Sequence, residues 1–453
     1  MGSGAQPEHE KAMKAINSIF LAFLITASAE FGAGAQSVTN TINPALLYYQ
    51  AFLVAPDLSE ADSDYLWTNE WHGQQLPEQF GILMAGYDNE FKLVRDAALS
   101  TAPCDWGLDA RFGPDALLPY LGRTKPVVLT ANFRALWDLQ QGRQDDARQE
   151  VVAGLVLGRN VARDGTLISV LVQQAMELIT CHHLAELFGR FSKDELQQLL
   201  DGIESAPARR TAAECAATQG ALIRNWALSE IQRLQQANPG NDAQVLAGIH
   251  AAFAKFLDAQ PNQTRMSGST QELTANSAVH GETAPADWWG RLSQAAGGTS
   301  DGVARLVQGL ESFDQKLASV LSLPAGEFAD QMVRFKADLQ QNPNPLPSLL
   351  LPPWEHVRGR ELRAMANLDM VRAAIEFELH GQAAFQSVMD PWSQGPFAFE
   401  RFAYQGVDRG FKLTSAYPGN PWPESVIFVE KPGAPFHVDG RNLGEPRPHT
   451  YPK

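Results

Sequence analysis

Cysteine is scarce: Cys104, Cys181 and Cys215 are the three in a chain of 453 residues. Three are too few for a disulfide framework. Cys181 and Cys215 fall inside helical patterns, where a small buried thiol is the plain reading. One bridge among the three is open to an oxidising compartment, with its pairing undecided by sequence. Positive charge is short as well. Lys and Arg total 36 against 51 Asp and Glu, a net charge of −15, and the pI is near 5.1. That balance argues against binding nucleic acid or an anionic membrane through bulk electrostatics. No run of like charge stands out, so the acidity is spread over a solvated surface.

Chemical signatures are missing too. The chain has no Gly-x-Ser-x-Gly elbow, phosphate-binding glycine loop, dinucleotide fingerprint, Glu-x-x-His, His-Glu-x-x-His or zinc spacing. The expectation is therefore no metal and no cofactor. Whether the chain is an enzyme stays open, because hydrolases that work through paired carboxylates need no local signature.

What is present begins with Met13-Lys14, the apolar stretch Ala15–Thr26 and Ala33-Gly34-Ala35 before Gln36. A basic start, a short apolar core and a small-x-small site read as a signal peptide. The apolar core falls short of the roughly 20 residues a membrane span needs. Residues 1–35 are thus expected to be a leader and signal peptide. The mature protein would be exported, periplasmic or extracellular, with no stable span after cleavage.

The rest is dominated by helical periodicity. Residues 104–190 read as one unit around which the chain is organised. Leu129, Phe133 and Leu136 share a face, as do Val151, Val152, Leu155 and Ala162 after the break at Gln141-Gly142-Arg143. This predicts a hairpin resembling a tetratricopeptide half-repeat, with Trp137 and Ala147 near packing positions and no fixed repeat period. Gly165-Thr166 starts a third helix that is apolar nearly all round, as in a helix surrounded by others.

Upstream, Asn43-Pro44 and the Ser59/Asp62 pair mark helix starts, and Pro77–Leu99 predicts one helix whose Gly81 and Gly86 imply close packing or a weak spot. Downstream, Ser192 and Glu195 form a capping box, and helices follow over about 208–236 and 243–259. Val303 to Leu317 predicts one amphipathic helix, and Phe328 to Leu339 the next.

The predicted organisation is a helical domain over 36–259, a polar linker or loop over 260–286 and a helical hairpin over 287–341 packed on the first domain. A proline-rich linker over 342–354 then leads to a small α+β module over 355–453. In that module a helix from Glu355 to about His380 precedes Asp390-Pro391-Trp392. Strands follow at 397–402, 410–415 and 425–429, with turns at Gln405-Gly406 and Asp408-Arg409-Gly410. The fold class is mainly α: packed helical hairpins, TPR-like or α-solenoid-like, followed by a small α+β module.

Two stretches carry resemblances. Pro103-Cys104-Asp105-Trp106-Gly107-Leu108-Asp109, Gly113-Pro114-Asp115-Ala116-Leu117-Leu118-Pro119 and Thr166-Leu167-Ile168 resemble a family of uncharacterised exported helical proteins over about 95–205. This implies an exported all-α domain and supplies no activity. The helix, Asp-Pro-Trp turn and strands over roughly 360–430 are similar to the globular part of type II secretion major pseudopilins. Here the apolar prepilin helix is missing, and Ser415-Ala416-Tyr417-Pro418-Gly419-Asn420 stands where those proteins carry an acidic calcium loop. The resemblance therefore implies neither fibre assembly nor a calcium site.

Candidate site residues are few. His182 falls on the apolar side of its helix with Glu186 one turn on, which suits a core histidine held by Glu186 better than a metal or acid–base site. His183 is expected to face solvent. Gln173, Glu177 and Thr180 make a polar stripe that, if buried, must be hydrogen-bonded or line a pocket. Asp105 and Trp106 sit on a loop. They could hold a sugar or small polar ligand, or Asp105 or Asp109 could cap a helix with Trp106 as an apolar plug. Trp288-Trp289 could mark a partner surface or anchor a core.

The resulting expectation is an extracytoplasmic helical scaffold or interaction protein. One alternative is a secreted hydrolase using carboxylates on facing helices, Glu177 or Asp105 among them. Another is an accessory of a secretion or envelope apparatus, its partner a further envelope or secreted protein. Oligomeric state is left open.

Overall fold

Short polar side chains and glycines set the helix ends. The computed structural model describes residues 41–444, apart from 68–70, 72–73, 110–112, 114–115, 260–286, 351–352, 419–423, 432–436 and 440–441. The signal-like segment 1–35 and the polar segment 260–286 lie outside the described residues.

Helix α1 (Pro44–Val54) starts where the Asn43 side chain accepts from Ala45 N, with proline at its first position. Before α2 (Glu60–Trp67), Ser59 Oγ accepts from Asp62 N at 3.1 Å and donates to Asp62 Oδ2 at 2.7 Å. The single helix expected over 77–99 is two, α3 (Glu78–Ala85) and α4 (Asp88–Ala98). The break falls at Gly86-Tyr87, where glycine lowers the helical preference and Tyr87 takes ψ 2°.

α5 (Leu121–Gln140) and α6 (Gln144–Val161) form the expected hairpin. Gly142 turns it at φ 77°, a left-handed conformation that suits glycine. Gly165 at φ 72° and the Thr166 cap then open α7 (Leu167–Leu187), and Ser192 caps α8 (Lys193–Ser205). Thr211 and Glu214 close a full capping box on α9 (Ala212–Ala237), which leads to α10 (Asp242–Ala259).

The helix expected through 303–317 is also divided, into α12 (Ser300–Gln308) and α13 (Leu310–Leu321), after α11 (Trp288–Ala295). The break falls at Gly309, where glycine lowers the helical preference, and Asn344 Nδ2 donates to Leu306 O beside it at 2.8 Å. α14 (Ala325–Gln340), the short α15 (Leu346–Leu350), α16 (Trp354–His380) and the short α17 (Gln382–Phe385) complete the helices.

Strands β1 (Ala398–Tyr404), β2 (Val407–Thr414) and β3 (Ser425–Val429) form an antiparallel sheet in sequence order. Gln405 and Gly406 both have positive φ, 51° and 78°, as a two-residue hairpin turn requires. A bulge between Phe402 and Ala403 takes up the odd residue, so Asp408-Arg409-Gly410, expected as a turn, lies inside β2. A separate hairpin joins β4 (His437–Asp439) to β5 (Asn442–Gly444).

The C-terminal segment is not the separate module expected over 355–453. One apolar core takes side chains from α1 to α8, from α16 and from the sheet. Phe411 stacks on Phe428 with centroids 5.2 Å apart, and Phe188 meets both edge-on at 5.9 and 5.5 Å. Gly189 permits this approach, because a Cβ there would stand 2.2 Å from Glu430 O. Nor is 342–354 a free linker. Leu346 is buried in a core with α9 to α13, and Trp354 in another with α7, α9, α13 and α14. Proline there shapes a packed corner and not a boundary. All three cysteines are free, Cys181 and Cys215 buried and Cys104 half-buried.

Candidate functional site

Trp106 is held on every side. Its ring stacks on Tyr120 at 4.2 Å and on Tyr48 at 5.7 Å, and Tyr49 meets it edge-on at 5.5 Å. Its Nε1–H donates to Asn160 O at 2.7 Å, so both the apolar body and the polar tip are satisfied. Asn160 Nδ2 donates in turn to Tyr48 Oη at 3.2 Å. Asp105 is exposed, and its carboxylate accepts from Gly107 N at 2.9 Å. Its own backbone is pinned to the Asn43 side chain at 3.0 and 2.7 Å. The pair thus braces the loop against α1, α5 and α6: Asp105 caps a turn and not a helix.

Glu177 is the centre of a second network. It is fully buried in α7; Arg159 Nε reaches Oε1 at 3.1 Å and Arg209 Nη2 reaches Oε2 at 2.8 Å. Burial pushes the Arg159 guanidinium below its ordinary range, and Glu177 pulls it back. Arg159 Nη1 also donates to Pro207 O at 3.0 Å. One turn earlier, Gln173 exchanges two bonds with the Arg210 backbone, 3.0 and 2.9 Å. The stripe therefore staples the connector between α8 and α9 onto α7. Thr180 Oγ1, on the same stripe, is buried with no partner among the described residues.

The two histidines sit otherwise than a single helical wheel implies. His183, expected to face solvent, is half-buried, and its Nε2 lies 2.7 Å from Asn132 O on α5. His182, expected in the core, presents an exposed edge, and its Nε2 lies 3.0 Å from Asn367 Oδ1 on α16. α7 has neighbours on several sides, so no one direction on it is simply inward. Glu186, expected beside His182, lies near Arg190 and offsets the desolvation of that guanidinium.

Asn367 has no exposure at all. Its Nδ2 donates to Arg363 O at 2.9 Å and to Glu424 Oε1 at 3.0 Å. Oδ1 is then the acceptor, which places the proton of neutral His182 on Nε2 and leaves Nδ1 as the basic atom. Glu424 also pairs with Arg363 Nε at 2.8 Å. Crowding on its inner side desolvates the His182 ring and holds it below the ordinary histidine range, against the pull of Glu424. Sequence reasoning missed Asn367, Arg363 and Glu424. Asn367 is 185 residues from His182, and no local pattern connects them.

Among the described residues no three His, Cys, Asp or Glu side chains gather as a metal site would. Among them also, no helix is long and apolar enough to cross a membrane. No protein-family model, no curated protein and no solved structure matches the chain.

Proposed function

We propose that the chain is an exported helical scaffold or interaction protein. The observation that carries this reading is the Glu177 clamp. Both carboxylate oxygens are engaged by arginines, and the side chain best placed for chemistry in the organising stretch spends its charge on joining helices. Trp106, the other prime candidate, is filled the same way. A working face is offered by α10 and α11, where the exposed His250 ring stacks on Trp289 at 4.8 Å with Trp288 at 5.3 Å. Half-buried tryptophans are common anchors of protein–protein contacts.

The finer readings rest on local order. The α5–α6 hairpin turning at Gly142 supports a TPR-like label. The sequence of α16, Asp390-Pro391-Trp392 and a three-stranded sheet supports a pseudopilin-like one, and with it an accessory role beside an envelope apparatus. N-terminal sequencing of the protein from culture tests export, with Gln36 as the expected first residue. Site-specific photo-crosslinking from position 250 in intact cells tests the interaction. A discrete adduct that disappears in Trp288→Ala/Trp289→Ala is expected. An uncleaved cytoplasmic protein with no adduct would overturn the proposal.

One observation favours a second reading, an acid–base site at His182. The ring is oriented by a buried asparagine that is itself held by a carboxylate, an arrangement suited to a general base. Here Glu177 and Asp105 play no part. Hydrolysis of pooled ester, peptide and polysaccharide substrates that is lost in His182→Gln and follows a single basic limb would establish it. No turnover by the mature protein removes it.

A further inference from the structure

Between α9, α13, α15 and the start of α16 lies a cavity of about 40 Å³. Ile223, Phe313, Leu317 and Leu350 form apolar wall; Gln219, Asp314 and Trp354 bring the polarity. A water needs about 10–15 Å³ of such space, so the cavity has room for roughly three or four non-hydrogen atoms.

Two features set it apart from a packing defect. Trp354 is 2 % exposed, and its Nε1–H has no hydrogen-bond partner among the described residues. Buried indole N–H groups are ordinarily paired, so an acceptor is missing beside this one. On the other polar side, Arg224 Nη1 holds Asp314 Oδ2 at 2.7 Å. Gly220 lets this carboxylate pack against the backbone of α9: a Cβ there would come within 2.3 Å of it.

The electrostatics select the ligand. Arg224 neutralises Asp314, so an ammonium group finds no net negative charge, and a carboxylate would face Asp314 directly. A hydroxyl can both accept from an indole N–H and donate to a carboxylate oxygen, and a short alkyl chain suits the apolar wall. We propose that this cavity is a binding site for a short-chain aliphatic alcohol of two or three carbons. The assignment goes beyond the scaffold reading and does not depend on it.

The test uses the full chain labelled with ¹⁵N and follows the indole N–H peak of Trp354, identified by its absence from Trp354→Phe. Titration with 1-propanol is expected to move this peak saturably, with Kd in about the millimolar range set by so few atoms, while the other indole peaks stay. Propylamine and propionate at equal concentration leave it in place. Gly220→Ala, whose Cβ would displace the Asp314 carboxylate, weakens binding at least tenfold. Should that variant not fold, Ile223→Phe, one turn along α9, fills the cavity and gives the same loss. An unmoved peak would overturn the assignment in favour of water alone. So would a response shared by all three probes, or one that persists in the filled variants.

Discussion

Gly81 of α3 lies beneath the indole of Trp137 on α5: a Cβ at position 81 would stand 2.1 Å from Trp137 Cζ2. The close approach of α3 to the hairpin at this point depends on the missing methyl group. Gly81→Ala is therefore expected to lower unfolding stability by about 1–3 kcal/mol, the usual cost of overpacking a tight contact. In a Trp137→Phe background the same substitution should cost much less. Urea unfolding of the four proteins in a double-mutant cycle measures the coupling.

Glu177→Ala leaves Arg159 and Arg209 buried around an empty place. Breaking a buried pair from one side costs about 3–5 kcal/mol, and that loss is expected in urea unfolding. The connector over 206–211 should also become accessible to limited proteolysis, since its carbonyls depend on Arg159 for a partner.

Glu90 is 3 % exposed, and its Oε2 has no hydrogen-bond partner among the described residues. Burial raises its carboxyl from 4.5 to about 7, against the pull of Arg123 and Arg134. The folded state thus holds the proton more tightly than the unfolded one. The stabilising contribution is complete below about pH 4.5 and is lost as pH rises through about 7. Chemical denaturation across pH 4.5–8 should show stability from this group falling by roughly 1–3 kcal/mol. Glu90→Gln, neutral throughout, should flatten that part of the profile.

The continuity of α16 and the sheet with the helical core predicts the behaviour of fragments. Residues 355–453 expressed alone should lack a cooperative thermal transition, because Phe411 and Phe428 would lose Phe188. A chain ending at residue 353 should expose the matching apolar face of α7 and bind a hydrophobic dye. A folded, monomeric C-terminal fragment with sharp amide dispersion would contradict this.

Local signals were legible in the sequence. Asn43, Ser59, Thr166 and Ser192 cap helices where their spacing to the apolar stripe says they should, because a cap bonds within its own turn. The hairpin at Gly142 and the strands around Gln405-Gly406 follow for the same reason. What could not be read depends on distant partners. The break between α12 and α13 falls at Gly309, beside a bond from Asn344 far along the chain. His182 and His183 were misplaced because a helical wheel supposes one buried direction, whereas α7 touches α5 through Asn132 and α16 through Asn367. The shared core of α16 was hidden by a proline-rich corner that looks like a linker until Leu346 and Trp354 are seen buried.

The thiols have a consequence of their own. Cys104 is pushed up to about 12 by burial, and burial raises Cys181 and Cys215 further. At neutral pH practically no thiolate exists to attack, exchange or be oxidised. In the folded chain the thiols are therefore weak nucleophiles, and fast reaction with a thiol reagent at neutral pH would report unfolding.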